Sequence, residues 1–304
     1  MSFVTSSRAS RPFSSAHISP GRERGWALVS ALWAVTMLAL MAAATEALTA
    51  TSYRAEAHAI AAAKVDGALD AAVVRAVLGV SDIRPQSRWR IDGQPRRFWF
   101  EGLPVDVTAQ GERGRIDLNA SDGPLIRQLL IGNGASPETA TQITDGILAW
   151  RSATGLGGVH GNGNDPYAVA GAAYRPRHGP FQTVAELRLV SGVTQDLFAR
   201  IAPALTVYSK RSGFDETIAP REALRATHPN DEQKIDDILQ QRGTGAGLDG
   251  GSTALPTASA PFSLAGQAVS IDATVSIGER TFHRRAVVEL TGSDARPYYT
   301  LAWN

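Results

Sequence analysis

An uncharged, apolar run near the amino terminus constrains this chain more than any other feature of its sequence. The run extends from Trp26 to Ala44. As a helix rising ~1.5 Å per residue it would be roughly 28 Å long, close to the hydrocarbon thickness of a bilayer. The preceding residues are polar and basic, with Arg22 and Arg24 just before the run. The pattern therefore predicts a membrane-spanning helix with a cytoplasmic amino terminus.

Two other interpretations of the run stay open. Small residues at Ala42, Ala43 and Ala44 could form the cleavage site of a removable secretory signal. The apolar stretch is longer than the roughly 7–15 residues usual for such signals, which favours the membrane helix. A buried helix of a soluble protein is the third interpretation.

The helical pattern continues beyond the run to about Gly79, because apolar residues from Ala55 to Val77 recur at helical spacing. Residues 97–101 and 104–110 then alternate apolar and polar side chains, which is typical of strands. Residues 111–114 are interpreted as a hairpin turn, with residues 115–119 continuing the same ladder.

Residues 120–242 are predicted to be mostly helical, and residues 243–262 form a linker rich in Gly, Ser, Thr and Ala. Strands are predicted again at 268–275, 280–290 and 297–303. This order suggests a helical insertion within an α+β domain, whose last strands return to the sheet begun near residue 97.

The helical region contains a weak internal repeat, D-x-I-L-x-x-R, at Asp145–Arg151 and Asp236–Arg242. Between the two copies, Val184–Ile201 is predicted to form a helix, a tight turn at Ser191–Val193 and a second helix, as in a helix-hairpin-helix element. Its predicted apolar core is Leu187, Leu189, Val193, Leu197 and Ile201. Trp150 and Phe181 are interpreted as packing residues, and Asn119 as a helix N-cap.

Several segments together resemble a known family. Arg24-Gly25-Trp26 heads the apolar run, and Ser30 stands at the fifth position counted from Trp26. In the same order as in that family follow Gly114–Ala120, Ile147–Arg151, Tyr174–Phe181, Val184–Val193 and Leu205–Ser209. The chain thus resembles the K-type minor pseudopilins of bacterial type II secretion over about residues 24–303.

The resemblance implies cleavage by prepilin peptidase between Gly25 and Trp26 and N-methylation of Trp26, where the family usually has Phe. Most pilin-like proteins carry Glu at mature position five, which meets the amino terminus of the subunit above. The K-type subunit lacks this Glu, and this chain has Ser30 at the corresponding position. A tip subunit has nothing above it, and an unpaired Glu in hydrocarbon is costly.

The implied fold is α+β: a pilin-like long amino-terminal helix on a small antiparallel sheet, with an inserted all-α domain. The expected divisions are a cleaved leader (1–25), a transmembrane part (26–48), two parts of the pseudopilin domain (49–118 and 263–304), the insertion (119–242) and a linker (243–262). The implied role is a structural tip subunit that helps start the pseudopilus and the export of folded proteins. Its implied partners are the other minor pseudopilins, prepilin peptidase and the inner membrane.

No enzymatic constellation is evident in the sequence. Cysteine is absent, and no H-E-x-x-H, P-loop or G-x-S-x-G motif occurs. His160 and His178 are interpreted as solvated loop residues. A hydrolase is therefore disfavoured, and no cofactor is expected, with calcium considered only as a weak candidate.

Calcium is considered because members of the family can bind it in the helical domain. The corresponding loop offers one carboxylate, Asp165, with Asn162 and Asn164. Because calcium takes roughly six to eight oxygen ligands, several of them charged, these three residues make a weak candidate site.

A membrane-anchored helix-hairpin-helix protein that binds DNA is the alternative function. The net charge is only +1, and the predicted hairpin carries Asp196 but no Lys or Arg from Ser191 to Asp196. Nucleic-acid binding needs a basic surface, so no nucleic-acid partner is expected.

Overall fold

The computed structural model describes residues 23–84, 86–152, 177–243, 264–293 and 295–304. The chain divides into two compact units, Met1–Ala63 and Lys64–Asn304. In the first unit, Trp26–Glu46 is the one stretch of the described residues that is helical, long and apolar enough to cross a membrane. Its large side chains, among them Trp26, Leu32, Trp33 and Met41, are exposed.

The helices are α1 (Glu23–Val80), α2 (Gly123–Gly132), α3 (Pro137–Arg151), α4 (Gln195–Ile201), α5 (Arg221–Thr227) and α6 (Glu232–Gly243). The strands are β1 (Arg96–Phe100), β2 (Leu103–Gly111), β3 (Ile116–Asp117), β4 (Leu205–Thr206), β5 (Ala268–Ile277), β6 (Arg280–Ser293) and β7 (Arg296–Trp303). Short 3-10 helices occupy Glu112–Gly114, Val184–Leu189 and Ala202–Ala204.

Five strands of the unit Lys64–Asn304 form one antiparallel sheet in the order β1-β2-β5-β6-β7. The carboxyl-terminal part of α1 packs on one face of this sheet through small and β-branched side chains. These side chains include Val65, Ala68, Leu69, Ala72, Val73, Ala76 and Val77. Alanines at every fourth position allow the helix to approach the sheet closely, while the valines of the strands fill the interface.

The helical segments between β3 and α6 bury a second core of their own. Its fully buried members include Ile126, Leu129, Ile143, Ile147, Leu187, Ile201, Leu224 and Ile235. The first four lie on α2 and α3 at spacings of three and four residues, which is the apolar face that an amphipathic helix buries.

The prediction that the last strands return to the first sheet is confirmed, because β5 pairs with β2 from Val105↔Val275 to Gly111↔Val269. The predicted strand 97–101 ends one residue early. Glu101 and Gly102 have φ values of 45° and 81° and make the tight turn into β2 instead.

The predicted hairpin at residues 111–114 is wrong. Glu112–Gly114 is a 3-10 helix, and residues 115–119 do not continue the ladder of β2. Both edges of β2 are already occupied by β1 and β5, so β3 pairs in parallel with β4 in a separate two-stranded sheet. The chain thus leaves the large sheet at Glu112.

Gly132 is required where α2 meets α5. A Cβ added at this position would lie 2.3 Å from the carbonyl oxygen of Arg225. We expect Gly132→Ala to lower the free energy of unfolding by about 1–3 kcal/mol, because a backbone carbonyl cannot move aside cheaply. This clash outweighs the helix propensity of alanine, which would favour the change by up to about 1 kcal/mol.

The measurement is urea unfolding of the purified chain, followed by circular dichroism. Gly213→Ala is the control, because a Cβ there meets no atom within 4 Å; it should change the free energy of unfolding by no more than about 0.5 kcal/mol. A Gly132→Ala variant as stable as the parent chain would contradict the packing argument.

Candidate assembly site

The predicted processing site lies at the start of α1. Gly25 and Trp26 both belong to the helix, which begins at Glu23. The Trp26 side chain is 81% exposed. Cleavage between these residues and methylation of Trp26 remain predictions.

The hydroxyl groups of the apolar segment are satisfied within the helix itself. Ser30 Oγ donates to the carbonyl oxygen of Ala27 at 3.0 Å, and Thr36 Oγ1 donates to that of Trp33 at 2.8 Å. A third hydroxyl, Thr45 Oγ1, donates to the carbonyl of Ala42 at 2.8 Å. These residues can therefore lie in hydrocarbon without a partner from another chain. Ser30 thus differs from a glutamate, whose charge would need one.

Asp117 is a buried junction that the sequence interpretation missed. Its Oδ1 accepts hydrogen bonds from the backbone N–H groups of Asn119 (2.8 Å) and Ala120 (3.2 Å). Its Oδ2 accepts from the backbone N–H of Lys210 at 2.8 Å and from Ser209 Oγ at 3.3 Å. The carboxylate therefore joins Gly114–Ala120 to the end of Leu205–Ser209, two of the segments that carry the family resemblance. An Asp inside an otherwise apolar short strand was the available signal.

Asn119 has a different role from the predicted N-cap. Its side chain donates to the carbonyl of Phe181 at 2.9 Å and accepts from the Phe181 N–H at 2.7 Å. The N-cap of α2 is Asp122, whose carboxylate accepts from the N–H of Leu125. Phe181 is thereby held against Trp150, with ring centroids 5.8 Å apart. Both aromatic residues are buried, which confirms their predicted packing role.

The arginine of each copy of the D-x-I-L-x-x-R repeat makes the same pair of hydrogen bonds to backbone carbonyls. Arg151, which ends α3, donates to the carbonyl oxygens of Leu118 and Ser121, both at 2.7 Å. Arg242, near the end of α6, donates to those of Ala219 at 2.7 Å and of Glu216. In each case the two carbonyls are three residues apart, and the later one in the chain, of Ser121 or Ala219, directly precedes the N-cap residue of α2 or α5.

Each arginine therefore links the carboxyl-terminal end of one helix, by hydrogen bonds, to the residues just before the preceding helix. The α2–α3 and α5–α6 pairs share this arrangement. Burial lowers the pKa of Arg151 below its ordinary value, while the nearby carboxylates of Asp117 and Asp122 oppose that shift. The guanidinium remains charged, and charge-assisted hydrogen bonds of this kind are among the stronger ones in proteins.

The predicted hairpin at Val184–Ile201 has a 3-10 helix, not an α-helix, as its first arm. Its turn contains Gly192 with φ of 90°, and Thr194 caps α4 by accepting from the N–H of Leu197 at 3.2 Å. Leu187, Leu197 and Ile201 are buried as predicted. Leu189 is 39% exposed, contrary to prediction, because 3-10 geometry rotates it off the buried face. Val193 is partly buried against the core.

A cluster of polar side chains marks the point where the helical region departs from the sheet. Glu112 Oε1 accepts from Arg115 Nη1 at 2.7 Å and from Ser270 Oγ at 2.5 Å. Gln110 Nε2 donates to the carbonyl of Ile218 at 2.7 Å. The end of β2, the start of β5 and the segment before α5 are thus joined by buried hydrogen bonds.

The candidate calcium residues Asp165, Asn162 and Asn164 lie outside the described residues, as does His160. Within the described ranges, no group of three or more His, Asp and Glu side chains is placed to hold a metal ion. His178 is exposed, as predicted, and has a φ of 52°.

Comparisons with known proteins find similarity to protein K of type II secretion systems. Residues 107–210 match the family model for type II secretion system (T2SS), protein K. A curated type II secretion system protein K from Pectobacterium carotovorum subsp. carotovorum is 25% identical over 193 residues, covering 55% of this chain and 56% of that protein. The match therefore spans about half the length of that relative.

The fold also resembles a solved structure. A chain in the crystal structure of the GspK-GspI-GspJ complex from the enterotoxigenic Escherichia coli type 2 secretion system superposes with a TM-score of 0.56. The match has 13% sequence identity and covers 81% of this chain and 98% of that one. At this identity the likeness establishes the fold alone, a mixed helix and sheet arrangement with an apolar amino-terminal helix.

Replacing the two repeat arginines tests whether they fasten the helix pairs. We expect Arg151→Met and Arg242→Met each to lower the free energy of unfolding by about 2–4 kcal/mol, because each change leaves two carbonyl oxygens without their charged donor. The measurement is urea unfolding of each purified variant. The control is Arg127→Met, whose Nε donates only to Thr141 Oγ1 at an exposed position; it should have an effect of no more than about 0.5 kcal/mol. Equal effects at all three positions would refute the assignment.

Proposed function

We propose that this chain, a minor pseudopilin of the GspK type, is a structural subunit that caps the type II secretion pseudopilus and helps its assembly begin. In this proposal α1 anchors the chain in the inner membrane, with the amino terminus in the cytoplasm and the carboxyl-terminal unit in the periplasm. The expected divisions are the leader 1–25, the span 26–48 and the helical insertion 119–242. The proposed role is structural.

The observation that carries the proposal is that the only polar group at mature position five, the Ser30 hydroxyl, is already hydrogen-bonded within its own helix. The Ser30 hydroxyl donates to the carbonyl oxygen of Ala27 in its own helix, so it needs no charged partner from a subunit above it. A subunit within the body of a pseudopilus would have a neighbour above to pair with a glutamate, whereas a tip subunit would not. The local hydrogen bond therefore supports placement at the tip.

The proposed partners are other minor pseudopilins. The solved relative is described in a complex with GspI and GspJ. In the present chain, Val74 and Leu78 lie one turn apart on α1 and are 48% and 64% exposed, on the side of the helix not buried by the sheet. Exposed apolar side chains at this spacing suit packing against another helix.

The helix-hairpin-helix alternative gains no support from the hairpin. Phosphate binding would need free N–H groups at the start of α4. Those of Leu197 and Phe198 are already bonded to Thr194, and the exposed Asp196 adds negative charge. No second candidate function is therefore advanced.

The first test is the mass and amino-terminal sequence of the mature protein, made with and without prepilin peptidase. We expect a peptidase-dependent start at methylated Trp26. A start near Thr45 would instead indicate a secretory signal and a protein without this anchor. An intact amino terminus in the presence of the peptidase would remove the main support for a pseudopilin.

Ser30→Glu tests the tip placement. A charged residue costs about 2.5–3.5 kcal/mol at the centre of a membrane helix unless it is paired, and less towards the end of the helix, where Ser30 lies. We expect this variant to reduce severalfold the amount of minor-pseudopilin complex recovered from membranes with the tagged chain. Ser30→Ala, which removes only the internal hydrogen bond, should leave recovery unchanged. Full recovery with Ser30→Glu would mean that a partner for the charge exists and would contradict the tip placement.

A further inference from the structure

An open cleft of about 620 Å³ lies in the unit Lys64–Asn304, in the connection between β4 and α5. Its lining consists of Lys210–Asp215 and of Arg113, which belongs to the 3-10 helix Glu112–Gly114. Pockets of about 300–1,000 Å³ commonly enclose ligands as large as a drug molecule. The cleft therefore has room for a short peptide segment, whereas a single small anion would leave most of it empty. The role proposed above does not use this cleft.

Cations outnumber carboxylates in the lining of the cleft. The three cations are Arg113, Lys210 and Arg211, and the one carboxylate is that of Asp215, which gives the lining a formal charge of +2. Asp215 Oδ1 already accepts from the backbone N–H and the hydroxyl of Thr217, at 3.0 and 2.6 Å. The charge of the lining therefore favours a ligand with several negative charges over a neutral or a cationic one.

The three cations have little to bind within the chain itself. In the ranges that the structure describes, the side chains of Arg113 and Arg211 make no ion pair and no hydrogen bond. The Nε of Arg113 is enclosed by protein, so a ligand would meet its two Nη groups, which keep some accessible surface. Lys210 Nζ lies 3.7 Å from Glu289 Oε2, and the two side chains are 80% and 31% exposed. Exposed pairs of this kind contribute little, so Lys210 can bind another carboxylate at small cost.

Hydrogen bonds fix the loop Lys210–Asp215 at both ends. The N–H of Lys210 donates to Asp117 Oδ2 at 2.8 Å, and the N–H of Asp215 donates to the carbonyl oxygen of Arg113, also at 2.8 Å. Lys210 has a φ of 57°, a left-handed conformation that is uncommon for a residue with a long side chain. The fold thus keeps Lys210 and Arg211 in the same cleft as Arg113 despite local backbone strain. A site that is already formed loses less conformational entropy on binding.

An aromatic side chain makes the cleft more than an ionic patch. Phe214 lines the cleft and packs, partly buried, against the core of the helical region. An apolar side chain of a ligand can cover the exposed part of this ring. A nucleic acid is the less suitable occupant, because Asp215 and Glu289 lie among the cations and a phosphate backbone needs a more extended basic surface. Charge and apolar contact together therefore favour an acidic peptide.

We propose that this cleft binds an acidic peptide segment of a partner protein. Two neighbouring carboxylates of the segment accept from Lys210, Arg211 and the Nη groups of Arg113, and an apolar residue between them lies against Phe214. The site depends neither on processing at Trp26 nor on the tip placement. Failure of either proposal would therefore leave the other intact.

The test uses saturation-transfer NMR with the purified full chain in micelles of an uncharged detergent. The probes are two capped tripeptides, acetyl-Glu-Leu-Glu amide and acetyl-Gln-Leu-Gln amide, which have nearly the same shape and differ in charge. We expect saturable binding of the acidic peptide with a dissociation constant on the order of 1 mM, and binding of the neutral peptide at least about tenfold weaker. Raising the salt concentration from about 0.05 to about 0.5 M should weaken binding of the acidic peptide severalfold, because salt screens exposed charges.

Variants that remove one charge at a time locate the binding. Arg211→Gln removes an exposed cation that has no partner in the described chain, and should weaken binding of the acidic peptide at least about threefold. Combining it with Lys210→Gln should weaken binding at least about tenfold. The matched control is Arg280→Gln, which removes one exposed cation at the start of β6, outside the cleft, and should leave binding unchanged. Circular dichroism checks that each variant is folded.

Three outcomes would overturn the proposal. The first is no saturable binding of the acidic peptide up to about ten times the expected dissociation constant. The second is an equal loss of binding in Arg211→Gln and Arg280→Gln, which would mean that binding follows the total charge of the chain and not this cleft. The third concerns a short single-stranded oligonucleotide: binding tighter than that of the acidic peptide, and lost in the double variant, would assign the cleft to phosphate groups.

Discussion

The pairing of β2 with β5 is the interaction on which the rest of the unit Lys64–Asn304 depends. Seven residue pairs, from Val105↔Val275 to Gly111↔Val269, join strands that are far apart in sequence. Closing so long a loop costs conformational entropy, although this cost grows only slowly with loop length. The ladder, the α1 interface beneath it and the Glu112–Arg115–Ser270 cluster together offset that cost. Because the chain leaves at Glu112 and returns at Ala268, the helical region has both ends at one place on the sheet.

This arrangement lets the helical region form its own core. Its internal connections are carried by polar atoms that meet backbone groups: Asp117 with four donors, and Arg151 and Arg242 with two carbonyls each. These bonds hold the irregular segments between short helices, where no regular ladder can satisfy the backbone. The weak sequence repeat therefore reflects a repeated structural requirement: each helix pair has an arginine at the end of its second helix.

Patterns with a clear period were predictable from the sequence, and contacts between distant residues were not. The long helix and the strands of the large sheet follow from apolar spacing, and the return of the last strands follows from element order. The two-residue strands β3 and β4 are too short to show alternation. Gly111 and Gly114 suggested a hairpin because glycine is common in turns, but a 3-10 helix uses the same residues.

The same limit applies to individual side chains. Leu189 was misplaced because its helix is 3-10, and Asn119 because an N-cap is a local interpretation whereas its partner, Phe181, is 62 residues away. Two of the four Asp117 bonds go to Ser209 and Lys210, more than 90 residues away, so no local pattern indicates them. The other two, to the N–H groups of Asn119 and Ala120, form a local turn. The Ser30 hydrogen bond, in contrast, is local: serine in a helix interior commonly bonds the preceding turn.

The apolar segment itself can contribute little to the choice of partner. In Trp26–Glu46 the hydroxyls of Ser30, Thr36 and Thr45 are bonded within the helix. Helices in lipid associate through close packing of small residues and through interhelical hydrogen bonds, and here the alanines of the segment, among them Ala27, Ala31 and Ala42–Ala44, make the first route available. Small-residue packing discriminates weakly between partners of similar sequence. In the assembly proposed above, recognition of a partner would then rest largely on the unit Lys64–Asn304, where Val74 and Leu78 are exposed apolar side chains of α1.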